Sequence, residues 1–221
     1  MNTHRALSRD TVRRVYDRIG RWQDLQGFYE GPALDQLIRH GAFESARSIL
    51  EVGCGTGAFA ARLLRDPCPP CVEYVGVDLS PRMVDIARDR LSFCGDRARV
   101  FCTDGEVSFD EADSAMDRIV ATYVLDLLPA GEIRALLSEA HRMLEDHGRL
   151  CIAGLTDGES GLGRVVAGAW SGLYRLWPVA VGGCRPLRIE TYLDEDRWTL
   201  THRTVVEPWG IPSEVLVATP A

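Results

Sequence analysis

Residues 49–59 read Ile49-Leu50-Glu51-Val52-Gly53-Cys54-Gly55-Thr56-Gly57-Ala58-Phe59. A short apolar run ends in an acid and then in three alternating glycines, and Ala60 to Leu64 continues as an amphipathic stretch. This predicts a buried strand, a tight glycine turn and the start of a helix. Glycine permits positive φ and close backbone approach, and the first amides of a helix lack internal partners, so the turn is a cradle for a ligand. The glycines alone are ambiguous, because Gly53, Gly55 and Ala58 also satisfy the G-x-G-x-x-G/A dinucleotide fingerprint. Glu51 tilts the choice. A carboxylate two residues before the first glycine repels a pyrophosphate and attracts a ligand that carries an ammonium group.

Other strand ends carry acids in the same sense. Glu73 to Leu79 reads as a second strand ending near Asp78, which follows Gly53 by 25 residues. That is close to the roughly 20-residue interval at which a βαβ unit presents an acid to a ribose. Ser80-Pro81 then opens a helix that runs to about Phe93. Arg97 to Thr103 reads as a third strand leading into Asp104-Gly105-Glu106, where an acid comes within reach of an adenine amino group; Asp-Gly is also a common turn pair.

The segment 49–59 resembles the first motif of the class I S-adenosylmethionine-dependent methyltransferases, especially the group similar to ubiquinone and menaquinone biosynthesis methyltransferases. The resemblance runs from about Tyr16 to Thr156, with its motifs in family order. It implies S-adenosyl-L-methionine as cofactor and an α/β, Rossmann-like, doubly wound sheet of seven strands, mostly parallel with an antiparallel last strand, behind an N-terminal helical cap. It also implies roles. Glu51, Gly53 and Gly55 form the cradle, Asp78 and Leu79 meet the ribose, and Met83 in Ser80-Pro81-Arg82-Met83 packs on the adenine. Asp104 and Gly105 meet the adenine edge, and Tyr16, in the Tyr16-Asp17 pair of the cap, covers the methionine part.

The remaining elements follow in order. Ser8 to Gln26 reads as an amphipathic helix with Val12, Val15, Ile19 and Trp22 on one face and five arginines spread over the others. The reading is a solvated cap helix, or else a weak membrane-surface contact. Gly31-Pro32 opens a helix over Ala33 to His40, ahead of the first strand from Arg47 to Val52. Met116 to Val124 is the fourth strand, with Ala121 to Tyr123 emerging under the cofactor. A helix from Gly131 to Glu145 and a turn at His147-Gly148 lead to the fifth strand, Arg149 to Leu155; His141 and His147 read as structural. Thr199 to Val206 and Glu214 to Ala218 close the chain as an antiparallel pair.

Between the fifth strand and that pair, residues 157–185 turn rich in glycine, alanine and aromatics, with Trp170, Tyr174 and Trp177 at helical spacing. Such a stripe packs in a core, or else forms a substrate lid inserted in the domain. An apolar lid favours a ring-bearing or lipid-like acceptor. Gly182-Gly183-Cys184-Arg185-Pro186 hinges into a further helix, Leu187 to Asp194. Trp22, Tyr123, Trp170, Tyr174, Cys184 and Arg185 are the candidate acceptor residues.

Composition sets bounds. A chain of 221 residues with 46% hydrophobic content suits a single domain, residues 1–221, with residues 1–45 as the cap. The net charge of −7 argues against nucleic-acid partners, so a small-molecule acceptor is expected. All 25 basic residues are arginine, which rules out a Schiff-base or phosphate-loop lysine. Met1 to Asp10 lacks a signal-like apolar core, no membrane-length run follows, and seven scattered cysteines fit reduced thiols, so a cytoplasmic protein is expected. Cys68-Pro69-Pro70-Cys71 has metal or redox spacing but no second pair, and reads as a loop with no metal. No Asp/Asn-Pro-Pro-aromatic motif follows the fourth strand, which counts against an adenine or glutamine amino group as target. The expected reaction is in-line methyl transfer to a small aromatic or lipid-like acceptor, with no catalytic residue assigned. The alternatives are a phospholipid-headgroup or thiol methyltransferase, a nicotinamide-dependent oxidoreductase, and a non-catalytic cofactor-binding protein.

Overall fold

A computed structural model describes residues 6–106, 109 and 112–221; the first five residues of the segment read for a signal lie outside it. Seven strands form one sheet: β1 (Ser48–Val52), β2 (Glu73–Asp78), β3 (Ala98–Cys102), β4 (Met116–Thr122), β5 (Leu144–Leu155), β6 (Trp198–Val206) and β7 (Ser213–Pro220). Their order is β3-β2-β1-β4-β5-β7-β6. The first five are parallel, and β7 lies antiparallel to both β5 and β6. The expected sheet is therefore present, with β7 rather than β6 beside β5.

Period-two alternation distributes the strand residues between two cores. Ile49, Val120, Cys151, Ala153, Val215 and Val217 face the helices α2 (Gly27–His40), α3 (Ala58–Arg65) and α4 (Pro81–Leu91). Leu50, Ile119, Ala121, Leu150, Ile152 and Leu216 face α5 (Ala130–Met143). The order reverses between β1 and β4, and a doubly wound sheet opens its ligand crevice at that reversal, beyond the carboxyl ends of the strands.

Arg118 secures the approach to β1. Its guanidinium donates to the carbonyls of Gly41 (2.8 Å) and Ala42 (2.7 Å) and to Asp117 Oδ1 (2.7 Å), while Asp117 Oδ2 accepts the Arg47 amide at 2.7 Å. The end of α2 and the start of β1 are thus fixed by one buried ion pair whose remaining donors are satisfied.

The elements depart from expectation in several places. The helix expected over Ser8 to Gln26 stops as α1 (Arg9–Ile19), because Gly20 takes φ 50°, and a 3-10 segment (Gly20–Gln26) follows. A Cβ on Gly20 would meet Arg82 Nε at 2.8 Å, so the break lets the cap lie close on α4. α2 begins at Gly27, and Pro32 sits inside it instead of opening a helix at Ala33. The fourth strand ends at Thr122, since Tyr123 has φ 53°. α5 ends at Met143 and β5 begins at Leu144; the pairing jumps from Met116↔Leu144 to Arg118↔Arg149, so the expected His147-Gly148 turn lies within that excursion. The helix expected over Leu187 to Asp194 shrinks to a 3-10 turn, Ile189–Tyr192. Its backbone is drawn onto the sheet instead, the Leu187 amide donating to Leu155 O (2.8 Å) and the Ile189 amide to the buried Glu214 carboxylate (2.8 Å).

Candidate functional site

A cavity of about 970 Å³ opens at the predicted crevice. Gly53 and Gly55 form its floor, with φ of 72° and 52°, and α1 closes it from above through Val12 and Tyr16. A Cβ on Gly53 would stand 2.6 Å from Val124 Cγ2, so this turn admits only glycine.

Four of the five amides of the turn, residues 53–57, are already committed. Gly53 N and Cys54 N donate to Val77 O (2.8 and 3.0 Å), Gly57 N to Cys54 O (2.9 Å) and Gly55 N to Asp78 Oδ2 (2.9 Å). A pyrophosphate placed here would find a carboxylate where a dinucleotide site offers free donors. The other Asp78 oxygen accepts the Ser80 amide at 2.8 Å, and burial raises the Asp78 pKa against these two backbone bonds, with Asp17 raising it further. Each oxygen keeps a lone pair toward the cavity side of the strand end for a ribose hydroxyl.

Gln23 lies beside Gly55, within 3.3 Å of where a Cβ would stand, and its Oε1 is buried without a hydrogen-bond partner. An orphaned acceptor at the glycine turn suits an ammonium donor. Behind the turn, Glu51 is buried and accepts the Tyr74 hydroxyl at 2.6 Å. Burial pushes its pKa up to about 8, Tyr74 opposing and Asp78 adding to the shift. The cradle is therefore acidic, lacks free anion donors among these amides, and fits a cationic cofactor without phosphate.

The comparisons with known proteins agree with this geometry. Residues 49–148 match the family model of a methyltransferase domain. Residues 49–148 thus carry a methyltransferase domain. A tRNA N(3)-methylcytidine methyltransferase of Drosophila melanogaster is 32% identical to this chain over 128 residues, covering 56% of it and 39% of the relative. A demethylmenaquinone methyltransferase of Tropheryma whipplei is 28% identical over 147 residues, covering 64% and 57%. The chain thus spans about two fifths to three fifths of the length of these curated relatives. Among solved structures, the [4+2]-cyclase SpnF superposes with a TM-score of 0.71 at 19% identity, covering 97% of both chains. A geranyl diphosphate methyltransferase in complex with GPP and sinefungin gives 0.71 at 12% identity, covering 96% of this chain and 98% of the other.

The cavity brings together Tyr16, Gly53, Gly55, Asp78, Leu79 and Gly105 of the expected cofactor residues. Glu51 stays behind the turn, its effect electrostatic. Met83 is wholly buried in the core beneath α4, and Ala121 is buried in β4 with Thr122 taking the cavity face. Asp104 is corrected: it is exposed and its carboxylate accepts the Glu106 amide at 2.9 Å, a local turn, leaving Gly105 and Thr103 to line the cavity. Trp22, expected near the acceptor, is 75% exposed and stands outside the cavity, because the 3-10 segment after Gly20 rotates it outward.

Tyr123 and Arg185 do line the cavity. The Tyr123 hydroxyl donates to Ser213 Oγ at 2.9 Å, and the Arg185 guanidinium donates to the carbonyls of Asp126 and Leu128. Trp170 donates its indole N–H to Cys184 O at 3.0 Å and packs with buried Tyr29, Leu155 and Cys184. Tyr174 is buried in the helix α6 (Gly161–Leu176). Cys184, expected in a mobile hinge, is buried with its Sγ 3.6 Å from the Tyr16 hydroxyl. Gln23, Tyr29, Glu30 and Asp126 went unread in the sequence, since nothing in its periodicity showed that the cap folds back on the end of β4. Among the described residues no cluster of three ligating side chains forms, and Cys68 and Cys71 are free thiols. No helix among them is long and apolar enough to cross a membrane.

Proposed function

We propose that the protein transfers the methyl group of S-adenosyl-L-methionine to a small, apolar acceptor bound beside Tyr16 and Tyr123. The observation that supports this reading is the single cavity, continuous from Gly53, Gly55 and Asp78 to a second half lined by Tyr123, Leu127, Pro186 and Leu187. The cofactor supplies an activated methyl group on a good leaving sulfur, so the chain's work is to align the acceptor's lone pair about 3 Å from that methyl and to exclude water.

Residues 1–45 act as the cap and residues 157–185 as a lid within one domain, 1–221. The cap is held by Ser80 Oγ donating to Asp17 (2.6 Å), by Arg90 and Thr56 on Asp24 (2.5 and 2.6 Å), and by Arg9 on Glu132 (3.1 Å). The demethylmenaquinone and geranyl diphosphate methyltransferases among its relatives and neighbours are named for ring-bearing and prenyl substrates, which supports an acceptor of that kind. The tRNA-directed relative is not the guide here, because the cap roofs the cavity and the chain's net charge is −7.

The experiment is a thermal-shift cofactor screen followed by a labelled-methyl assay over quinols, phospholipids, thiols, amines and aromatic alcohols. Stabilisation by S-adenosylmethionine with label entering one acceptor class supports the proposal; no cofactor response refutes it.

A second reading, a phospholipid headgroup as acceptor, draws on the cap surface, where Trp22, Leu25 and Phe28 are exposed beside the exposed Arg18 and Arg21. Co-sedimentation with anionic liposomes that vanishes on neutralising Arg13, Arg14 and Arg18 supports it, and no co-sedimentation of the unaltered protein refutes it.

A further inference from the structure

Behind the acceptor half of the cavity lies a group of ionisable side chains to which the cofactor reading gives no role. Asp126 sits on the 3-10 turn Leu125–Leu127 that follows β4 and is 1% exposed. Among the described residues, neither of its carboxylate oxygens has a hydrogen-bond partner. The nearest donors, its own amide, the Leu155 amide and the Cys184 thiol, lie close enough to bias it but outside hydrogen-bonding geometry. Burial accordingly pushes its pKa up to about 7, with Arg185 pulling the other way.

The groups that face Asp126 come from every element packed around it. They are Tyr16 from α1, Tyr29 and Glu30 from α2, Tyr123 from the end of β4, and Cys184 and Arg185 from the loop after α6. Glu30 is a second raised carboxyl, pushed up to about 7 by burial first and by Asp126 next. The only cation in this set, Arg185, spends its guanidinium on main-chain carbonyls. Tyr16, Tyr123 and Arg185 are at the same time cavity wall, so the two acids stand one side chain behind the acceptor half. Tyr29 and Tyr123 meet edge to face, with ring centroids 6.0 Å apart.

Two carboxyls without a committed cation, screened by tyrosine rings, are costly to keep unless a ligand completes them. Aromatic faces backed by carboxylates are a chemistry that selects ammonium groups. We propose that Asp126, with Glu30, places negative charge behind Tyr16 and Tyr123 so that this wall receives an aliphatic ammonium group of the acceptor, making the protein an N-methyltransferase of a primary or secondary amine attached to an apolar body.

This rests on the methyl-transfer reading and deepens it. The ammonium N–H bond breaks as its proton passes to a solvent water, which leaves a neutral amine and a hydronium ion. The amine lone pair forms the new N–C bond as the methyl group leaves sulfur, whose bonding pair stays behind as a thioether lone pair. The product departs as a methylammonium ion. A proton-bearing sp³ nitrogen also agrees with the missing Asp/Asn-Pro-Pro-aromatic motif, which serves planar amino groups.

The test uses the full chain loaded with S-adenosylhomocysteine, with phenethylamine and its neutral isostere 2-phenylethanol as calorimetric probes. Phenethylamine is expected to bind at least tenfold more tightly than the alcohol, with affinity rising from pH 6 to 8 as the acids ionise. Asp126→Asn and, separately, Glu30→Gln should each cost at least tenfold in amine binding and flatten the pH dependence, while S-adenosylhomocysteine binds as before and thermal stability is not lowered.

Equal binding of amine and alcohol, or full amine affinity in both variants, overturns the proposal. So does binding of S-adenosylhomocysteine without any binding of the amine. Failure of S-adenosylhomocysteine itself to bind refutes the cofactor reading and the proposal with it. Vesicles of phosphatidylethanolamine given labelled S-adenosylmethionine separate a lipid headgroup from a free amine: label in the lipid, or label in phenethylamine, supports the ammonium chemistry from the respective source.

Discussion

Replacing Asp78 with alanine isolates the interaction on which cofactor selection depends most. In the structure its two oxygens accept the Gly55 and Ser80 amides at 2.9 and 2.8 Å, and each can accept one ribose hydroxyl besides. Hydrogen bonds to a charged group contribute about 1.5–3 kcal/mol apiece, part of which returns when water fills the space. A net loss of about 1.4–3 kcal/mol follows, roughly ten- to a hundredfold in Kd. The substitution also relieves a carboxyl whose pKa burial has raised, so the two lost backbone bonds are partly offset and the fold should survive. Isothermal titration with S-adenosylmethionine and S-adenosylhomocysteine reads the change, with the thermal midpoint as the folding control. A Kd within twofold of the unaltered protein would refute the assignment of Asp78 to the ribose.

Other outcomes follow from the same geometry. Gly53→Ala places a methyl group 2.6 Å from Val124 Cγ2 at a backbone φ of 72°, so it should cost about 1–3 kcal/mol of stability and abolish cofactor binding; denaturant unfolding and titration check both. Because Glu51 titrates near 8 without ligand and a cationic ligand favours its ionised form, binding S-adenosylmethionine at pH 7 should release protons. Calorimetry in two buffers of different ionisation enthalpy reads this, and Glu51→Gln should remove it. Glu51, Glu30 and Asp126 all have folded pKa values above the unfolded carboxyl range of about 4, so the stability these three groups contribute without cofactor is fully present below that range and is lost as pH rises to about 8. His202, lowered by burial and by His40, opposes them weakly, so the thermal midpoint should fall between pH 6 and 8.5. Arg118→Met leaves Asp117 buried without its partner and frees the Gly41 and Ala42 carbonyls, a loss of about 3–5 kcal/mol that chemical denaturation would show.

The sequence made the ligand end of the fold legible because glycine and acid chemistry is local. Gly53 and Gly55 need positive φ, Asp78 must end β2, and both requirements are written within a few residues of the strands they terminate. The short apolar run before Gly53 likewise revealed β1. The acceptor end was less legible, since it is made by distant segments meeting. Asp126 looks like a turn residue and Glu30 like the solvated face of a helix until α2 folds against the end of β4. Trp22 shows the converse: its helical spacing holds only to Gly20, where the close approach of Arg82 changes the chain's course. Asp104 stands outside the cavity, on a local turn in which its carboxylate accepts the Glu106 amide. The helix expected after Leu187 gave way to hydrogen bonds with Leu155 and Glu214 that no local propensity encodes.

The central claim is that an acidic cradle with four of its five turn amides committed selects a cationic, phosphate-free cofactor. Parallel calorimetric titration of the unaltered protein with S-adenosylmethionine and with NAD measures it most directly. The account predicts saturable one-to-one binding of S-adenosylmethionine and no detectable heat of binding from NAD; tight NAD binding with no response to S-adenosylmethionine would contradict it.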